Sequence, residues 1–223
     1  VQNALFSGKK VLITAGPTYE PIDPVRFIGN HSTGKMGYAL ARRFAEQGAQ
    51  VQLVSGPTSM KLEHPQVEVI PVMTADEMYA ACQQRAAAAD IWVFAAAVAD
   101  YKPSRVAPSK IKKSEASFTI ELVKNVDIAA ALGKEKKTGQ FAVGFALETD
   151  QELENAQAKL RKKNLDMVVL NSLRDPGAGF RHDTNKITIV KQNTVEEYAL
   201  KSKDEVAEDI LESIKKEWAC VQK

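Results

Sequence analysis

Apolar residues along this chain fall into two rhythms. Short, mainly apolar runs recur at 9–15, 50–55, 67–72, 90–97, 141–145 and 165–170. Runs of that length, rich in Val, Ile and Leu and bounded by turn residues, suit strands covered on both faces. Elsewhere apolar residues return every three or four positions. Gly37, Leu40, Ala41, Phe44 and Ala45 do so, which predicts a helix with one buried stripe. Strands alternating with such helices predict a parallel sheet with crossover connections. The run 90–97 is almost wholly apolar and is expected at the sheet's centre.

Polar punctuation sets the boundaries. Ser32 or Thr33 is expected to cap the helix that Gly48 closes. Thr74 and Glu77 read as a capping box that opens a helix through Ala88. Asn125 is expected to cap a short helix through Leu132, and 150–163 to form another. Residues 118–123 read as a short strand. Beyond residue 170 the rhythm changes. Residues 171–183 read as a loop, 186–191 and 194–200 as a hairpin around Gln192-Asn193, and 203–218 as an amphipathic helix. The expected fold is α/β: a doubly wound, mostly parallel Rossmann-like sheet with an appended antiparallel hairpin, forming one domain over 1–223.

Composition narrows the function classes. The 223 residues can bury a sizeable core. Lys plus Arg is 30 against 28 Asp plus Glu, so no basic excess argues for nucleic acid as the main ligand. Two cysteines, Cys82 and Cys220, make no disulfide framework, and a cytoplasmic setting is expected. Cys82 lies in an Ala-rich helical stretch and reads as a small core residue. No apolar run approaches membrane-spanning length and no signal peptide opens the chain. The first residue is Val rather than Met, so an excised part of a longer chain is expected.

Candidate chemistry concentrates between 13 and 48. The polar loop there carries Arg26, Asn30, His31, Ser32, Thr33 and Lys35. Lys35 in a first helical turn opposes the helix dipole, and a bound anion would reverse that penalty. A surface lysine bent into water is the equal alternative. Gly29 to Lys35 matches G-x-x-x-x-G-K, but Met36 stands where Ser or Thr should hold Mg²⁺, so a P-loop NTPase is not expected. Gly16-Pro17-Thr18 lacks the dinucleotide fingerprint. His31, His64 and His182 lie apart from each other and from the cysteines, which disfavours zinc. No Gly-x-Ser-x-Gly elbow is present. The remaining tools are Lys, Arg, Asn and helix termini, which hold anions and stabilise developing negative charge. The segment 101–113, YKPSRVAPSKIKK, is basic, contains two prolines and follows the central strand. That position favours a lid over a solvated loop. Lys159 and Lys163 share one helix face and, by themselves, read as solvated charge.

Several motifs together resemble one family. ITAGPT, DPVRFIGNHSTGKMG, AAAVADYKP, KIKK, LVKNVDI and VGFALET are similar to the phosphopantothenoylcysteine synthetases, in their bacterial CTP-dependent form. The resemblance covers nearly the whole chain and weakens after Asn185. In that family the domain is often the C-terminal half of a bifunctional coenzyme A biosynthesis protein, fused to a flavin-dependent decarboxylase. The resemblance implies a ligase that joins 4′-phosphopantothenate to L-cysteine through an acyl-cytidylate, with CTP giving CMP and pyrophosphate. It implies catalytic roles for Asn30, Lys110 and Arg26. Asn30, Ala96 and Ala97 would line the intermediate's pocket. CTP contacts would fall on Phe94, Asp100, Lys110, Val126, Asp127, Ile128, Ala129, Phe145, Lys159 and Lys163. The resemblance thus turns Lys159 and Lys163 from solvated charge into phosphate ligands. Val126 departs from the proline often found there, a change that a backbone contact tolerates. A homodimer, Mg²⁺ with the nucleotide, and no flavin in this domain are also implied. Asp100 is a candidate metal ligand, but the sequence assigns none. Two rivals remain: an NADP-dependent reductase on a Rossmann-like fold, and a catalytically silent nucleotide-binding subunit.

Overall fold

A computed structural model describes residues 6–112, 117–148, 151–172 and 183–221. In chain order the first elements are β1 (Lys10–Ala15), β2 (Tyr19–Pro21), β3 (Phe27–Gly29), α1 (Lys35–Glu46), β4 (Gln50–Ser55) and β5 (Val67–Pro71). Next come α2 (Ala75–Ala86), β6 (Ile91–Phe94), β7 (Tyr101–Pro103), β8 (Leu122–Lys124), α3 (Ile128–Gly133) and β9 (Phe141–Glu148). The chain continues through α4 (Glu152–Lys162), β10 (Met167–Ser172), β11 (Thr184–Asn185), β12 (Ile187–Lys191), β13 (Val195–Glu197), β14 (Lys201–Ser202) and α5 (Lys203–Val221).

Eight strands form the main sheet in the order β13-β12-β10-β9-β6-β1-β4-β5. The six from β10 to β5 are parallel. The expected hairpin, β12–β13, runs antiparallel and continues the sheet from β10. The chain winds outward from β1 in both directions, so strand order reverses between β1 and β6. Open α/β sheets bind ligands above such a switch point.

Both faces of the sheet are covered, which explains the mainly apolar strands. Val11, Ile13 and Ala15 join Leu40, Phe44, Ile210 and Trp218 in one core, beneath α1 and α5. Leu12 points the other way, into a second core with Met78, Trp92, Leu132 and Leu165, as the period of two requires. Cys82 belongs to that second core, and burial pushes its thiol up to about 12 despite the opposing charge of Arg85. This fits an inert structural cysteine.

Several boundaries differ from the sequence reading. The loop after β1 contains a small hairpin, β2–β3, with Tyr19 and Phe27 stacked at 3.9 Å. These strands are too short to show a period of two. The helix α1 is not capped by Ser32 or Thr33. Its N-cap is Gly34, at φ 77, with no side-chain cap, and Ser32 Oγ instead accepts the Gly34 N–H at 3.3 Å. Asn125 does not cap α3. Asp127 does, accepting from Ala130 N at 3.0 Å, while Asn125 Nδ2 donates to Ala99 O at 2.8 Å. The strand expected at 118–123 appears as β8, paired with β7 outside the main sheet. Strand β6 ends at Phe94, and the backbone from Ala95 onward turns to line a cleft. Of the loop expected at 171–183, residues 173–182 lie outside the described residues.

The turn between β2 and β3 fastens the basic segment that follows β7. Asp23 is buried, and its carboxylate accepts from Val25 N and Arg26 N at 2.9 Å each, and from the Arg26 guanidinium. It also accepts from Ile111 N at 3.1 Å, while Arg26 donates to Ile111 O at 3.0 Å and Ala107 N to Ile22 O at 2.9 Å. The Arg26 guanidinium holds the Asp23 carboxyl far below its ordinary 3.8, against the opposing effect of burial and with help from the three backbone N–H groups. A depressed carboxyl stabilises the fold fully above its unfolded value, and the gain is lost as pH falls through the folded value.

Two outcomes follow from these contacts. A Cβ on Gly37 would stand 2.5 Å from Ala15 Cβ. Gly37→Ala is expected to lower stability by about 1–3 kcal/mol through overpacking, read from a urea midpoint; an unchanged midpoint would show that α1 has room to move. Asp23→Asn should speed amide exchange at Ala107 and Ile111 at neutral pH. Unchanged protection there would mean that this turn does not hold the basic segment.

Candidate active site at the strand switch point

A cleft of about 760 Å³ opens where β1, β6, β9 and β10 end. Its floor is the run from Ala95 to Asp100. This run is held in place by pairing that outlasts the regular strands. Ala95 N donates to Thr14 O at 3.2 Å and Ala97 N to Gly16 O at 2.9 Å. Ala96 N reaches Thr14 Oγ1 at 3.3 Å, and Ala99 N reaches Thr18 Oγ1 at 3.0 Å. Ala96 and Ala97 are small, so a ligand can approach the backbone closely at the floor.

Asn30 stands at the rim. Its Nδ2 donates to Ala97 O at 3.0 Å and Val98 O at 3.3 Å, which ties the loop after β3 to the floor. A ligand oxygen at Asn30 would take over one of those N–H bonds.

The wall on the α3 and α4 side carries paired charge. Lys163 Nζ lies 2.8 Å from the Asp127 carboxylate. Burial would raise the Asp127 pKa, but the Lys163 hydrogen bond, the Ala130 N–H and the charges of Lys163 and Lys159 outweigh it, so the net shift is downward. Lys159 Nζ lies 3.5 Å from Phe145 O. Phe94 and Phe145 supply apolar surface, and Val126 to Ala129 bring backbone to the same wall.

The opposite wall belongs to α1 and α5. Lys35 pairs with Asp183, and the buried Lys203 stands beside them. Asn171 and Asn185 also face the cleft.

The structure therefore gathers Asn30, Phe94, Ala96, Ala97, Asp100, Val126, Asp127, Ile128, Ala129, Phe145, Lys159 and Lys163 around one cavity. Arg26 and Lys110 are not on its wall. Arg26 braces the Asp23 turn, and the exposed Lys110 lies next to Ile111 on the segment which that turn holds. Lys203, Asn171 and Asn185 escaped the sequence reading. In sequence Lys203 is merely the first residue of an amphipathic helix, and only the packing of α5 on α1 brings it to the cleft. Among the described residues, no group of three His, Cys, Asp or Glu could hold a metal ion, and no helix is long and apolar enough to cross a membrane. His182 lies outside the described residues.

Comparison with known proteins agrees with this architecture. The family model for the C-terminal domain of DNA/pantothenate metabolism flavoproteins matches residues 6–218. The Coenzyme A biosynthesis bifunctional protein CoaBC of Bacillus subtilis (strain 168) is 47% identical over 95% of this chain and 52% of its own length. A relative from an unknown prokaryotic organism, named Cysteine/Cysteine sulfinic acid decarboxylase, is 52% identical over 94% of this chain and 58% of its own. The chain thus spans about half the length of these curated relatives, and neither name places an activity in the matched part. The crystal structure of the C-terminal domain of a CoaBC protein matches with a TM-score of 0.81 and 42% identity, over 96% of this chain and 97% of that one. It shares the mixed α/β layout, with a large, mostly parallel sheet between helices and small antiparallel hairpins. With almost its full length inside the family model and so close a structural match, the chain belongs to the DNA/pantothenate metabolism flavoprotein C-terminal domain family.

Proposed function

We propose that this chain joins 4′-phosphopantothenate to L-cysteine, with CTP as the activating nucleotide, in coenzyme A biosynthesis. The observation that carries this reading is the convergence of Asn30, the Ala96–Ala97 floor and the Lys159/Lys163 wall on a single cleft. Such a cleft binds and orients anions, and this reaction needs little else from the protein, because both nucleophiles belong to substrates. First, the pantothenate carboxylate attacks the α-phosphorus of CTP, forming an acyl–phosphate bond and releasing pyrophosphate. Then the cysteine amine attacks the acyl carbon, CMP leaves, and the amide forms as the amine sheds its proton.

The residues divide this work by position. Lys159 and Lys163 offset phosphate charge, and Asp127 keeps Lys163 in place until a phosphate takes over. Phe94 and Phe145 flank the base, and the backbone from Val126 to Ala129 reads its edge. Asn30 donates to the acyl oxygen, whose charge grows during amine attack. Lys110, on its lid, neutralises the attacked phosphate, and Arg26 supports the second step by bracing that lid at Ile111. Asp100, exposed at the cleft, would offer one carboxylate to the Mg²⁺ that would accompany CTP and offset charge on its phosphates.

A homodimer is part of the proposal. Strands β2 and β7 lie against each other. Their hairpins and the adjoining segments expose Val25, Phe27, Val106, Leu122 and Val123, an apolar surface that a second copy would cover. Arg26 and Lys110 border this surface. A fused flavin-dependent decarboxylase, with no flavin in the present domain, and a cytoplasmic location complete the reading. An NADP-dependent reductase is less favoured, since the turn after β1 lacks the glycine fingerprint.

Two variants test the assignment. Asn30→Asp puts negative charge beside the acyl phosphate. It should leave pyrophosphate release intact, slow amide formation by roughly 100-fold or more, and let acyl-cytidylate accumulate on a quench-and-separate assay. Normal turnover would remove Asn30 from its role. Lys110→Gln should suppress pyrophosphate release itself; parental release followed by a later stall would place Lys110 in the second step.

A further inference from the structure

The C-terminal ends of α3 and α4 meet beside the cleft, and cations gather where they meet. A Cβ on Gly133 would stand 2.0 Å from Lys163 O, and Asn164 Nδ2 donates to Gly133 O at 2.9 Å. Lys163 itself lines the cleft and pairs with Asp127. Outside the cleft, around the same junction, Lys134, Lys137, Arg161 and Lys162 are all exposed. None of the four lines the cavity.

These cations differ from the others on the surface. Lys35, Arg42, Arg43, Lys102, Lys201 and Lys215 each pair with a carboxylate. Among the described residues, no carboxylate pairs with Lys134, Lys137, Arg161 or Lys162. The neighbouring Asp166 is already matched by Lys136 at 2.8 Å. Four cations against the exposed Glu135 leave an excess of three positive charges, in a chain whose formal net charge is +2. Helix C-termini favour cations. That accounts for Arg161 and Lys162 in the last turn of α4, and for Lys134 at the α3 C-cap. It accounts neither for Lys137, three residues further on, nor for the shortage of acids.

We propose that this patch is an electrostatic approach surface, which draws the nucleoside triphosphate toward the cleft and does not touch it once bound. Clustered charge of one sign beside a cleft raises the local concentration of an oppositely charged ligand and its association rate. Lys162 is the chain neighbour of Lys163, with Cα atoms about 3.8 Å apart. The patch therefore lies near the cleft on the scale of the Debye length, about 8 Å at 0.15 M salt and about 30 Å at 0.01 M. It adjoins the Lys159/Lys163 wall, so a triphosphate arriving over it meets the cations that hold it. The inference rests on the ligase reading for its choice of CTP as the triphosphate.

Stopped-flow mixing of the intact chain with CTP carrying a fluorescent ribose label tests this without requiring turnover. Lys134→Gln, Lys137→Gln, Arg161→Gln and Lys162→Gln lie on the surface, where such changes cost little stability. Combined, they should slow association about fivefold or more at about 0.01 M salt, and match the parent at about 1 M. Dissociation should stay within about twofold of the parent, because steering acts before contact. Lys134→Arg, Lys137→Arg and Lys162→Arg together should keep parental association. Parental association of the combined Gln variant at low salt overturns the inference. A change confined to dissociation also overturns it, by making the patch a contact site. Steered binding by a parent that releases no pyrophosphate overturns the ligase reading and leaves the approach surface standing.

Discussion

The close approach of α1 to the end of β1 is the constraint on which the site depends. Gly37 lets the helix rest on Ala15, and Gly34, at φ 77, turns the chain into the helix where an added Cβ would stand 3.4 Å from Gly16. A larger residue at Gly37 would lift the helix start away from the strand switch point, and one at Gly34 would be strained by the positive φ. With α1 seated, the loop from Gly29 to Gly34 must cross the floor, and Asn30 is brought within hydrogen-bonding distance of Ala97 and Val98. Backbone packing thus fixes a side chain proposed to act on the substrate.

Charge is arranged around this frame on opposite faces of the sheet. On one face Lys163 is matched by Asp127, which also caps α3. On the other Lys35 is matched by Asp183, beside Lys203. Each basic wall pairs a lysine with a carboxylate. Positive charge can then be kept near the cleft without mutual repulsion opening it. The Asp23 turn fastens the basic segment that carries Lys110 to the β2–β3 hairpin, off the cavity wall.

Local signals made much of the fold legible. Gln50–Ser55 is a strand with the expected limits, and Thr74 with Glu77 forms the expected capping box. What failed was the choice between neighbours that carry the same signal. Asn125 and Asp127 are both good caps two residues apart, and the demand of Ala99 O on Asn125 settles which one caps. Ser32 and Thr33 lose the cap to Gly34 because the approach to Gly16 requires a left-handed turn. Most of the cleft residues were legible only through the resemblance, since Phe94, Ala96 and Phe145 look like ordinary strand residues. Lys203 was illegible because its neighbours, Lys35 and Asp183, are distant in sequence or belong to an irregular segment.

The central claim is that this cleft makes a mixed anhydride from two bound anions without forming a covalent bond to the protein. The most direct measurement is pyrophosphate release from CTP, with 4′-phosphopantothenate and L-cysteine added separately and together. The account predicts release that requires 4′-phosphopantothenate but not cysteine, and conversion of the resulting acyl-cytidylate to amide and CMP once cysteine is added. Release that ignores 4′-phosphopantothenate, or none with any combination, would contradict it.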